Sequence, residues 1–429
     1  MKPQFIYKSL ASMIALSTSL LAAPAFAQDG DNIIQAIKDS KLLIDSNIRV
    51  ETVDFEGIDN DATALTARVR AGFQSASFWD TTFLVEFEHT EAIEEEFNST
   101  VNGLGGVFPV VVDPDQTELN RIQIVNKSIP DTTLTLGRQR IKLDDDRFIG
   151  NVGWRQNEQT FDAIRAVNTS VDGLKLDLSY IDGVRRIFGN QSAIGEFDST
   201  ALALNGSYKV PVENLDVKLT SYAYILDLGD VEDFGILDDG IADEFGVANS
   251  SSTYGGEVLV KKGPFGLKGR YATQSDTGDN PVNFSADYFN VEGWAGYKGF
   301  TVRGGIEVLG SDNGVEAFGT PLATLHKFNG WADVFLNTPN EGLQDLYVNA
   351  GYKIGDIGPI KGVGFNVIYH DFESDIGGLD FGEEVDAVVK GKLGKVGLLL
   401  KWANYTDASE TETRFADEQI FWAQTSYKF

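Results

Sequence analysis

The chain has 429 residues, no cysteine, 45 glycines and only 11 prolines. No disulfide scaffold or thiolate metal site is possible, and a formal charge of -29, from 64 acidic and 35 basic residues, argues against nucleic-acid binding. This composition, 11% aromatic, suits many strands joined by tight turns. Residues 1–27 read as a signal peptide: Lys2 and Lys8 precede an apolar run, Leu10 to Ala23, and Ala25-Phe26-Ala27 makes a small-x-small cleavage site. A retained anchor is the alternative, and the cleavage site opposes it. Residues 28–41 read as an N-terminal periplasmic segment with one short amphipathic helix, Asn32 to Ile37.

From residue 42 to 429 period-2 alternation dominates. Ala67, Val69, Ala71 and Phe73 alternate with Thr66, Arg68 and Arg70, and Phe83, Val85 and Phe87 alternate with Glu86 and Glu88. Leu174, Leu176, Leu178 and Tyr180 repeat the pattern, as do Phe289 and Val291, then Val302, Ile306 and Val308. Such runs of ~10 residues match tilted strands crossing a bilayer. Alternation alone also fits a soluble sandwich. Connection lengths separate the two readings. Short turns at Ser128–Asp131, Val171–Gly173, Pro211–Glu213, Gly263–Pro264 and Lys298–Gly299 alternate with long polar stretches. Those are Glu91–Thr117, Lys142–Gln159, Ile187–Asp198, Gly229–Ser251 and Asp276–Ser285. Short turns on one side and long loops on the other mark a transmembrane antiparallel β-barrel, an all-β fold.

About 19 strand-like runs are present, one more than an even-numbered barrel allows. Parity is restored to about 18 strands if Ser311 to Gly342, with its weak run His326 to Leu336, is one long loop. Its aromatic segment Phe328 to Phe335 is too apolar for a solvated loop, so it is expected to enter or cover the pore. The last run carries Phe421, Ala423, Thr425, Tyr427 and Phe429 on one face. A final strand ending in an aromatic is what barrels present to the barrel assembly machinery.

Five arginines, Arg138, Arg140, Arg147, Arg155 and Arg165, cluster around the acidic run Asp144 to Asp146. The block Gly137–Ala166, with FNGWADVFLNTP and GLQDLYV (Phe328 to Val348) and GEEVDAVV (Gly382 to Val389), resembles the alginate-export family of outer-membrane porins. The resemblance implies an 18-stranded barrel in the bacterial outer membrane and a narrowed, arginine-bearing pore for an anionic polysaccharide, with these five arginines at the matching positions. Relatives of one fold pass different solutes by changing loops and lumen side chains.

Alternation places Arg49, Arg68, Arg70, Arg121, Lys268, Arg270, Arg303 and Lys401 inside, facing water, together with Glu51, Glu86, Glu88, Glu257, Glu292 and Glu307. Leu134 and Leu136 share parity with Arg138 and Arg140, which requires a bulge or a change of environment. The arginines either select anions, since guanidinium stays charged and grips carboxylates with two hydrogen bonds, or pin a loop through Asp144–Asp146, Glu158 and Asp162. The expected pore-lining set is therefore Arg138, Arg140, Arg147, Arg155, Arg165, Arg68, Arg70, Arg121, Arg270 and Arg303.

The acidic stretch Asp227 to Phe245 lacks ordered calcium-ligand spacing and reads as a solvated loop. Trp79, Trp294, Trp331, Trp402 and Trp422 suit interfacial girdles or sugar stacking. His89, His326 and His370 lie far apart in sequence, and no G-x-S-x-G motif points to a hydrolase. The functional expectation is a passive channel for hydrophilic, anionic or carbohydrate solutes, needing no cofactor or metal. Its partners are membrane lipid and the solute. The alternatives are a general or cation-favouring porin, and an outer-membrane hydrolase.

Overall fold

The computed structural model describes residues 33–229, 241–408 and 415–429, and the side chains of these except 241–244. The expected signal peptide, and residues 230–240 of the acidic stretch, lie outside the described residues. A short helix, α1 (Ile33–Lys38), precedes the first strand. The strands are β1 (Lys41–Phe55), β2 (Ala62–Gln74), β3 (Thr81–Glu96), β4 (Gln116–Asn126), β5 (Thr132–Gln139), β6 (Thr160–Asn168), β7 (Leu174–Arg185), β8 (Glu196–Val210) and β9 (Asp216–Gly229). After α2 (Ile241–Ala248) come β10 (Ser251–Lys262), β11 (Phe265–Asp276), β12 (Ser285–Tyr297), β13 (Phe300–Leu309), β14 (Leu343–Ile357), β15 (Ile360–Glu373), β16 (Asp380–Leu393), β17 (Val396–Thr406) and β18 (Glu418–Lys428).

Each strand pairs antiparallel with its sequence neighbours, and β1 pairs with β18 from Asp45↔Lys428 to Phe55↔Glu418. The sheet closes as an 18-stranded barrel, and closure removes every exposed edge. Parity resolves as the loop lengths require: His326 to Leu336 contributes no strand, only a 3-10 turn at Leu325–Lys327. Both described ends of the barrel strands, Lys41 and Lys428, lie at the short-turn side. One such turn, Lys298-Gly299, has φ of 45° and 89°, the left-handed pair a two-residue hairpin needs.

Because the side-chain period is 2, the ladder register assigns each residue to one face. Ala67, Val69, Phe73, Phe83, Val85, Leu176, Leu178, Val302 and Ile306 fall on the outward face, where large apolar side chains are broadly exposed. Arg68, Arg70, Glu86, Arg270 and Arg303 fall on the inward face. That inward face is polar and, over its long-loop half, buried: Thr66, Glu88, Asp386 and Glu384 are all fully covered. What covers it is loop, not more sheet.

Candidate functional site

Two long connections enter the lumen, residues 140–159 between β5 and β6 and residues 310–342 between β13 and β14. They meet in a parallel bridge at Ile149 and Leu322, where the Gly150 amide donates to the Leu322 carbonyl at 2.9 Å. The Gln159 side-chain amide donates to both Gly150 and Leu322 carbonyls, at 2.8 and 3.1 Å. Phe148 packs on Tyr222 and Tyr288 of the wall and on Phe318 of the second loop. From the apolar run Phe328 to Phe335, Phe335 packs on Phe372 and Tyr405 of the wall and joins a core inside the barrel. The expected inward course of Ser311–Gly342 is what the contacts show.

The arginines fare differently from one another. Arg147 is 1% exposed and donates to Glu307 at 2.9 Å, to Thr320 at 2.9 Å and to Asn329 at 3.1 Å. Arg155 binds Glu51 at 3.0 Å and Asp333 at 3.4 Å. Arg140 binds Glu158, with Nε to Oε2 at 2.7 Å, and Arg165 binds Asp177 at 2.6 Å. Among the wall arginines, Arg68 pairs with Asp45, Arg70 with Glu88, and Arg121 with Glu86 at 2.8 Å. Arg270 pairs with Glu257 at 2.5 Å and Arg303 with Glu292 at 2.9 Å. Every member of the expected set has a carboxylate partner. Glu158 of the first loop is held by Arg140 and Arg70, whereas Asp162 pairs with Arg138 from strand to strand and pins no loop, and Asp144–Asp146 pair with lysines and Arg270.

Two expectations need correction. Arg138 registers opposite Ile122 and Asp162, on the face of Leu136 and Ile164, so it points outward and does not line the pore. No bulge turns it inward. Gly137, at φ +109°, lets β5 approach β4 so closely that a Cβ there would lie 2.3 Å from the Ile122 carbonyl oxygen. Arg138 is matched by Asp162 at 2.8 Å near the long-loop rim. Second, Arg49, Arg68, Arg70, Arg270 and Lys401 are inside but do not face water, because the two loops bury them.

Residues that sequence reasoning missed fix the second loop. Asn329 and Gly330 have left-handed backbones, φ 54° and 85°, and turn the Trp331 and Ala332 amides onto Glu384, at 2.5 and 2.8 Å. A Cβ at Gly330 would meet the Glu384 carboxylate at 2.2 Å. Lys401 hydrogen-bonds His326, and its ammonium lies 3.7 Å from the Trp331 ring centroid and 4.3 Å from that of Trp154. Asn-Gly, a turn signal within FNGWADVF, was the clue available.

Charge is ordered in part of this lining. In three pairs the base is the more exposed member: Arg303 43% against Glu292 7%, Arg165 18% against Asp177 1%, Arg140 26% against Glu158 0%. The order reverses where Asp45 (27%) meets Arg68 (6%) and where Asp145 (33%) meets Lys268 (15%). In the first loop, burial opposes ionisation of Glu158, but Arg70 and Arg140 outweigh it and hold its carboxyl at about 2. Burial lowers His326 to about 4 despite its contact with Asp333.

Trp422 is fully buried inside the barrel, so it belongs to no girdle and offers no face to a sugar, and Trp331, half-buried in the second loop with Lys401 over its ring, belongs to no girdle either. Trp402, registered with outward Phe421, and exposed Trp79 do suit the girdle. The histidines remain apart in space by their partners. His326 binds Asp333 and His370 binds Asp345, each at 2.9 Å, while His89 meets Thr117 at 2.7 Å on the outward face. Around Thr117 the backbone is committed to the β3–β4 ladder. Among the described residues no cluster of three or more acidic or histidine ligands forms a metal site.

A family model described as alginate export matches residues 49–182. The crystal structure of Pseudomonas aeruginosa OpdO is similar at 14% identity, with 92% of this chain and 99% of that chain covered and a TM-score of 0.66. Pseudomonas aeruginosa OpdK aligns at 15% identity over 91% of this chain and 99% of that chain, TM-score 0.61, and a second OpdK structure, at 14% identity, 91% and 99% coverage and TM-score 0.59, contains vanillate. No curated protein matches. The chain has the closed 18-stranded fold of bacterial outer-membrane porins, with the alginate-export pattern over residues 49–182.

Proposed function

We propose that this barrel is a passive outer-membrane channel favouring anionic hydrophilic solutes, carboxylated carbohydrate among them. The observation that carries the reading is the orientation of three lumenal pairs. Arg140, Arg165 and Arg303 present their guanidinium groups to the lumen while their carboxylate partners lie beneath. A neutral pair so oriented is a dipole with its positive end toward a passing ion, and low-dielectric walls focus that field. Acidic residues in the outer loops act through water, where the Debye length of about 8 Å screens them from the constriction. The alginate-export match and the vanillate held by one structural relative both concern carboxylates, which supports the same reading. The outward apolar face supplies the lipid contact, and β18, followed directly by Phe429, is the proposed handle for the assembly machinery.

Reversal potentials across a KCl gradient in planar bilayers test the reading. Wild type should prefer chloride at physiological salt. Arg140→Gln, Arg165→Gln and Arg303→Gln should lower that preference stepwise. A cation-selective wild type, unmoved by the triple substitution, would overturn it.

A further inference from the structure

Asp144, Asp145 and Asp146 form the tip of the first lumenal loop. Asp144 and Asp146 have left-handed backbones, φ 53° and 69°, which asparate tolerates better than most residues and which aim the three carboxylates apart. Asp146 turns back to Lys142 at 3.2 Å and Lys327 at 2.9 Å. The other two reach across to the β8–β11 wall. Asp144 accepts from Asn205 at 2.7 Å and lies 3.5 Å from the Lys218 ammonium. Asp145 accepts from Arg270 at 2.9 Å and lies 3.4 Å from the Lys268 ammonium.

The two lysines are loosely held. Lys218 is 3.7 Å from Glu257 and Lys268 is 3.8 Å from Glu292, so each floats between a wall carboxylate and a tip carboxylate. A seated charge-assisted hydrogen bond is ~2.7–2.9 Å, as Arg147 shows with Glu307. On the same inward row of β9 as Lys218, Thr220 and Tyr222 are buried with hydroxyls that have no hydrogen-bond partner. Buried hydroxyls are normally satisfied, and leaving one unpaired is costly. The tip is therefore held by two seated contacts, Asn205 to Asp144 at 2.7 Å and Arg270 to Asp145 at 2.9 Å, while two cations beside unused hydroxyls are shared only at long range.

We propose that Lys218, Thr220, Tyr222, Lys268 and Arg270 form a hydroxycarboxylate-binding site, and that Asp144 and Asp145 occupy it as a tethered competitor. The inference rests on the anion-favouring reading above. A carboxylate on a short tether has an effective concentration of order millimolar. A solute must outcompete it, and on doing so it frees the loop tip from the wall. Occupancy by solute and withdrawal of the tip are therefore one event.

Tartrate, with two carboxylates and two hydroxyls, is the probe, and block of single-channel current is the readout. Asp144→Asn with Asp145→Asn should strengthen tartrate block about threefold to tenfold, the gain a millimolar competitor allows. Asp45→Asn with Glu418→Gln removes two inward charges away from the tip and outside the three pairs above, and should gain less than twofold. Adding Lys218→Gln and Lys268→Gln to the tip variant, which removes the site itself, should abolish the gain. An anion-preferring wild type whose tip variant gains no more than the control overturns the tether and leaves the anion reading standing. A cation-preferring wild type overturns the anion reading.

Discussion

Arg147→Met tests whether the lumenal loops are held by a few buried contacts or by the barrel as a whole. Arg147 lies in the first loop, Thr320 and Asn329 in the second, and Glu307 in β13, so one guanidinium joins both loops to the wall. Methionine keeps the stem and removes the charge. It strands Glu307, which would keep Tyr288 at 2.5 Å and Asn329 at 2.8 Å but lose its cation. Removing one partner of a buried ion pair costs about 3–5 kcal/mol. Arg147 makes no strand ladder contact, so the cost falls on loop seating rather than on the barrel. At roughly 1.4 kcal/mol per decade, the unseated fraction rises by about two to nearly four orders of magnitude. Single-channel recordings should turn from a quiet current to frequent openings of larger conductance, and residues 311–342 should become cleavable in the folded barrel. Arg147→Met with Glu307→Met removes both charges and should recover much of the quiet state. A folded Arg147→Met channel as quiet and protease-resistant as wild type would refute the pinning argument. So would a double variant no quieter than the single one.

Two further outcomes follow from the geometry. Val69→Arg places a charge on the outward face at mid-strand and should cost ~2–4 kcal/mol in urea unfolding from liposomes, whereas Thr301→Arg, on the inward row of Arg303 and partly open, should not show that lipid penalty. Acid should loosen the second loop. Burial holds His326 near 4, below its ordinary 6.5, so the unfolded loop binds the proton first. Stability from a neutral His326 is complete above about pH 6.5 and is lost as pH falls toward about 4, on the order of 3 kcal/mol. Current noise should rise through that window, and His326→Gln should remove the step.

The barrel was legible because it depends on a period, and a period survives loop variation. Alternation put Val69, Leu176 and Val302 on the apolar face, and the loop lengths made that face the outer one and fixed the strand count. Even the inward course of residues 311–342 could be read from its aromatic content. Arg138 was misassigned although its parity with Leu134 and Leu136 stated the answer. Charge type was given more weight than register there, and register decided. The anchors Glu384, Lys401 and His326 were not legible. They come from three separate elements, and only closure of the barrel brings them to Trp331 and Asp333. Burial of the inward arginines was hidden for the same reason: nothing in β2 records that a loop from beyond β5 will cover it.

The seam between β1 and β18 has a kinetic side. Phe55 and Glu418 are paired neighbours, yet almost the whole barrel sequence separates them. Long-range strand pairing of this kind is slow, since closure entropy is lost before contacts repay it. A closed ladder offers residues 140–159 and 310–342 no side entrance, but both hang from strand ends at the long-loop mouth, which stays open after the seam forms. Closing the seam and seating the loops are therefore separable steps: the first fixes the wall, and the second brings Glu307, Glu384 and Asp345 their partners.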